Sequence, residues 1–104
     1  MIKNQAGQTV GAQMINASNG AAFTGAVSVD VTVDGLSQSP GAGSSPVHEG
    51  GGFHTYSPLA AETNGDHVAF TFSGSGAIPA TIQVYTSLTP AATNIDIDSQ
   101  VTIT

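Results

Sequence analysis

Four valines in strict alternation constrain this chain more than any other feature. In AVSVDVTVDG, residues 26–35, Val27, Val29, Val31 and Val33 fall on one side of an extended backbone. Ser28, Asp30, Thr32 and Asp34 fall on the other. A period of two places one row on a core and the other in water, which defines a half-buried β-strand. Valine is branched at Cβ and suits a pleated surface. The Asp34-Gly35 pair that follows is a turn signal.

The same period recurs. In HVAFTFSG, residues 67–74, Val68, Phe70 and Phe72 share a face opposite His67, Ala69, Thr71 and Ser73. In ATIQVYT, Ala80, Ile82 and Val84 oppose Thr81, Gln83 and Tyr85. A weaker strand is expected over residues 9–15, with Val10, Ala12 and Met14 inward, and a short one over residues 53–56. Ile95, Ile97, Val101 and Ile103 predict one or two more strands near the end of the sequence. Glycine interrupts almost every candidate helix, so helix is expected to be nearly absent.

Turn-forming segments separate the strands. NASNGAAFTG parts the first two, SQSPGAGSSP (residues 37–46) is expected as a mobile loop, and GSGAIP is a tight link. SPLAAETNGD has room for one helical turn. Six or seven short strands broken by frequent turns describe an all-β, antiparallel β-sandwich. At 104 residues the chain is one domain. Residues 8–86 form the expected sandwich, residues 1–7 an N-terminal arm, and residues 87–104 a C-terminal strand or arm.

HEGGGFHTY, residues 48–56, is where chemistry is first suspected. A zinc-protease helix needs two histidines four apart, so that both face the metal. His48 and His54 are six apart with Gly50, Gly51 and Gly52 between them, a run hostile to helix. A non-helical site from His48, Glu49 and His54, with Asp66 and His67 joining from the next strand, is the remaining metal reading. The plainer reading makes the glycines a positive-φ entrance to a strand, with Phe53 entering the core, His54 facing out or lying at a contact, and Tyr56 closing the strand end. The plainer reading is preferred, and no metal or cofactor is expected.

Other constellations are weaker. Asp30 and Asp34 read as solvated-face residues before they read as an acid–base pair. Asp96 and Asp98 share a face, but calcium would need several more oxygens. No G-x-S-x-G nucleophile elbow occurs, so the chain is not expected to be an enzyme. Tyr56 and Tyr85 are the only tyrosines and tryptophan is absent. A glycan-binding module, which stacks sugars on aromatic rings, is thus a distant alternative.

Charge narrows the partners. One lysine, Lys3, stands against seven acidic residues, giving a formal net charge of −6. Such a chain lacks the cations that grip phosphate backbones, so nucleic acid and anionic membrane are not expected as partners. Charged residues make up 8% of the sequence, well under the roughly 25% of an average soluble domain. Few charges would need desolvating when such a surface packs against neighbours. The chain has no cysteine, which fits synthesis in a reducing cytoplasm. No 18-residue apolar run and no signal-peptide pattern occur.

Residues 10–86 resemble a small domain of tailed-bacteriophage virion structural proteins. VGAQMINASNGAAFTGAVSVDVTVDG carries the first half of that pattern, and GGGFHTYSPLAAETNGDHVAFTFSGSGAIPATIQVYT carries the second. The strand order is also similar to immunoglobulin-like sandwiches of the transthyretin (prealbumin) type, with about seven strands. The resemblance implies a virion component. The leading expectation is a capsid decoration protein on the outer surface of the major capsid protein lattice. It would self-associate as a homo-oligomer, a trimer being one option. A tail, neck or baseplate component is the alternative within the virion, and a host-surface or glycan-binding module the alternative outside it. The terminal segments are expected to reach neighbours. Contact candidates are Ile2, Lys3, His54, Tyr56, Ile95, Ile97, Val101 and Ile103.

Overall fold

The computed structural model describes residues 1–88. It is all-β, with two antiparallel sheets and one short 3-10 turn of helix. One sheet has the order β1-β5-β4, from Val10–Gln13, Phe53–Tyr56 and Val47–Gly50. The other has the order β3-β2-β6-β7, from Ser39–Pro40, Ser28–Val33, His67–Ser73 and Ala80–Tyr85. The expected strands near Ile95, Ile97, Val101 and Ile103 lie outside the described residues.

The valine row forms as its alternation demands. Val29 and Val31 are buried, and β2 pairs β6 in register from Ser28↔Ser73 to Val33↔Val68. β6 supplies the largest fully buried side chains, Phe70 and Phe72, both at 0% exposure. Val10, Ala12 and Met14 come from the facing sheet, as expected. The two sheets thus meet through their inward rows, the arrangement of a β-sandwich. Outward, Thr71 and Thr81 join hydroxyls at 3.0 Å across β6 and β7.

The turns are also chemically specified. Asp34 (φ 51) and Gly35 (φ 73) are both left-handed, as a type I′ turn requires, and Leu36 N–H closes on the Val33 carbonyl at 3.0 Å. The Asp34 carboxylate is not simply solvated: Oδ1 accepts from the amides of Asp66 (2.8 Å) and His67 (3.0 Å), clamping the start of β6. The SPLAAETNGD link carries the anticipated helical turn, Ala60–Thr63.

Three expectations need correction. First, β5 faces the opposite way: Phe53 is 42% exposed, while His54 and Tyr56 are buried at 2% and 3%. The register pairs Ala12 with His54 and Val10 with Tyr56. Opposed residues share a face, so the inward row of β1 fixes the inward row of β5. The polar ring of His54 is accommodated because Nε2 donates to the Phe23 carbonyl at 2.8 Å. Second, the segment over residues 37–46 is not all loop. Ser39–Pro40 pairs with Asp30 and Val31 as β3, with proline in the edge strand where its missing N–H is tolerated. Third, residues 1–7 are stitched to the domain. Lys3 N–H donates to Ser87 O (2.8 Å), Asn4 N–H to Thr63 O (3.1 Å) and Gln5 N–H to Thr63 Oγ1 (3.0 Å).

These contacts make the two long sides of the sandwich unequal. On the β7 side, Ile2 bridges Ser87 and Asn16 bridges Ala77, and Ile78 N–H reaches Ile15 O at 3.0 Å. The first strand and its flanks therefore run beside β7 and close that side. On the other side lie β3 and β4, joined by residues 41–46.

Candidate functional site

The histidine-rich hairpin forms, with His54 buried and His48 and Glu49 exposed. Gly50, Gly51 and Gly52 take φ values of 126°, 61° and 89°, so the glycines do supply the left-handed entrance to β5. The register slips between His48 and Gly50, which marks a bulge. His48 Nε2 accepts the Gly52 amide at 3.0 Å, which bridges the bulge. That role uses the lone pair on Nε2. His48 and His54 lie with ring centroids 4.8 Å apart.

The candidate ligands do not converge on a common point. His54 Nε2 faces the Phe23 carbonyl, and Glu49 Oε2 accepts the Thr55 hydroxyl at 2.7 Å. His67 sits on the outer face of the other sheet, against Gln83 Oε1 (3.0 Å) and the Tyr85 ring (4.9 Å). Asp66 pairs with Lys3 Nζ at 3.0 Å. Among the described residues no group of three histidine, cysteine or acidic side chains is arranged to hold a metal. Asp96 and Asp98 lie outside the described residues.

A second polar centre was not anticipated. The Tyr56 hydroxyl donates to Glu62 Oε1 at 2.6 Å and accepts the Gly43 amide at 2.9 Å. Glu62 also takes the Leu59 amide on Oε1 (3.0 Å) and the Ala42 amide on Oε2 (2.8 Å). One carboxylate thus ties together the strand end, the helical turn and the crossing segment over residues 41–46. Burial first, and then the hydrogen bond to the Glu62 carboxylate, push the Tyr56 phenol up to about 12. Gly43 is required there, because a Cβ would run into the Ser57 carbonyl and the Tyr56 ring.

Beside this centre lies a groove of about 580 Å³. Its floor runs from Ala26 to Asp30, the two residues before β2 and its first three, and its far wall carries Ser44, Ser45 and Pro46. Pairing with β3 reaches only Asp30 and Val31, extended by one bond from Gly41 N–H to Val29 O at 2.8 Å. Beyond that point the edge is open at Val27, the residue just before β2. The proline and glycine of SQSPGAGSSP were the available signal for an edge device, but nothing local shows which strand edge they flank.

Of the contact candidates, Ile2 and Lys3 are half-buried against the chain's own body, and His54 and Tyr56 are in the core. His54 and Tyr56 are therefore not free surface. Ile95, Ile97, Val101 and Ile103 lie outside the described residues. The large apolar side chains that are exposed include Leu36, Val47, Phe53 and Tyr85. Phe53 lies across Gly11, where a Cβ would meet its ring. No helix among the described residues is long and apolar enough to cross a membrane. No family model, curated protein or solved structure matches the chain.

Proposed function

We propose that this chain is a non-enzymatic structural protein of a tailed-phage particle. Its role is capsid decoration, on the outer face of the major capsid protein lattice. The location within a virion rests on the sequence resemblance over residues 10–86, which also favours an immunoglobulin-like, transthyretin-type topology. One structural observation carries the non-enzymatic part: the side chains best suited to chemistry are spent on the fold. His48 holds a hairpin amide, His54 a core carbonyl, Asp34 two strand amides, and Tyr56 with Glu62 a crossing segment. What the molecule offers to partners is surface of low charge and open strand edge.

Self-association as a homo-oligomer, assembly after synthesis in the bacterial cytoplasm, and attachment without cofactor belong to the same reading. The test is co-sedimentation with capsids that lack this chain. The full chain should pellet with them, and a version lacking residues 88–104 should fold but attach more weakly. Equal attachment would remove the role given to the C-terminal segment, and no attachment by the full chain would remove the decoration role. The unequal sides favour a second reading, a neck or tail ring. A contact between two different edges is heterologous and closes into rings when the rotation permits.

A further inference from the structure

We infer that the open edge at Val27, where the chain enters β2, is an acceptor for strand addition, and that the strand it takes is the C-terminal segment, residues 95–104, of a second copy of this chain. The inference deepens the proposed function by naming the contact through which copies join.

The acceptor is defined by backbone geometry. Val29 turns its carbonyl toward β3, where Gly41 N–H meets it. Strand residues two apart point their amide and carbonyl groups the same way. Val27, one residue before β2, keeps the same inward phase and so presents its N–H and C=O to the groove. Among the described residues no hydrogen bond reaches the Val27 backbone. Its side chain packs against the core, in phase with Val29 and Val31. An unpaired strand edge with a walled channel beside it is the recognition mode of β-augmentation, in which main-chain bonds give affinity and alternate side chains enter pockets. The groove falls within the roughly 300–1,000 Å³ range of ligand-accepting clefts.

The donor is chosen by pattern, reach and exit point. Residues 95–104 read IDIDSQVTIT, with apolar side chains at Ile95 and Ile97 and again at Val101 and Ile103. This period of two matches an edge whose inward row is apolar. Sixteen residues follow the described ones, since 104 − 88 = 16. Fully extended they span up to about 50 Å. They leave beside Ser87, which Met1 and Lys3 pin at the β7 side, whereas the groove lies at the β3 side of the same sheet. To reach its own groove the segment would have to lie across the polar outer face of Thr71, Gln83 and His67. A neighbour set edge to edge offers its groove directly. Asp30 is the one acidic group lining the channel, so the donor's Asp96 and Asp98 meet little like charge there.

The chain's lack of cysteine makes the test clean. Full-length Ser45→Cys protein is mixed with full-length Thr102→Cys protein under mild oxidation and read on a non-reducing gel. The mixed disulfide dimer should form at least about tenfold faster than with Gln83→Cys in place of Ser45→Cys, because docking raises the local thiol concentration. Adding Val27→Pro to the Ser45→Cys chain should abolish the gain, since proline removes the open N–H. A peptide of residues 95–104 should compete the dimer away, which covers the case where Val27→Pro fails to fold. Equal rates at Ser45 and Gln83, or cross-linking only within a Ser45→Cys/Thr102→Cys double variant, overturns the inference. Capsid co-sedimentation is read separately. Attachment without the Ser45 cross-link sinks only this inference, and the cross-link without attachment sinks only the decoration role.

Discussion

The Tyr56 hydroxyl and the Glu62 carboxylate stand 2.6 Å apart, six residues separated in sequence, at the point where the chain crosses from one sheet to the other. Because the same phenol oxygen receives Gly43 N–H, the pair decides where residues 41–46 lie. It thereby sets the far wall of the groove. Removing the hydroxyl with Tyr56→Phe should cost about 2 kcal/mol, in the range for a bond to a charged group plus an amide left without its acceptor. Urea unfolding at neutral pH measures this. The loosened wall should also appear as faster hydrogen exchange at Ala42 and Gly43.

Alkali should act through the same phenol. Its folded value, about 12, lies above the ordinary tyrosine value of 10. Below pH 10 the group is protonated in both states and its contribution is complete. As pH climbs from 10 toward 12 the unfolded chain ionises first, so stability falls through that window. Tyr56→Phe should flatten this part of the profile, as read by unfolding midpoints across the range.

Acid should act through Asp34. The two amides it accepts, that of His67 foremost, hold its carboxyl below the ordinary 3.8. A lowered value means the contribution is present above the unfolded value and lost as pH falls through the folded one. Asp34→Asn keeps an oxygen for the amides and tolerates the left-handed backbone. It should therefore lose at pH 7 what the charge adds to the two bonds, and show no further loss from this position below pH 4. Asp34→Ala should be worse at both pH values, having neither acceptor nor backbone tolerance.

The facing of β5 gives a sharp contrast. His54→Ala should destabilise by about 3 kcal/mol, through a core cavity and an orphaned carbonyl. Phe53→Ala, on the outer face over Gly11, should cost less than about 1 kcal/mol. The reverse order would mean that Phe53, not His54, is the inward residue.

That contrast also marks how far the sequence could be read. The strands over Val27 to Val33, Val68 to Phe72 and Ala80 to Val84 were legible because each repeats its alternation three times or more. FHTY was not, since its four residues put an aromatic ring on both faces and only pairing with Val10 and Ala12 breaks the tie. Ser39–Pro40 escaped notice because two residues have no period and proline speaks against a strand. The three glycines announced the hairpin entrance correctly, yet Gly52 N–H to His48 Nε2 is a tertiary detail. Glu62 carries no local sign of its role. Its three partners come from residues 42 and 56 and from Leu59 at the turn's own start, which no local pattern joins. The groove was illegible for the same reason, being a property of which edge β3 leaves uncovered.

An image of the intact particle, at a resolution that separates the small all-β domain from the shell, bears most directly on the central claim. The account expects many copies on the outer surface, in the symmetry of the capsid lattice, with neighbouring copies touching through unlike edges. Particles whose shell carries no such density, or copies found only in the tail, would contradict it.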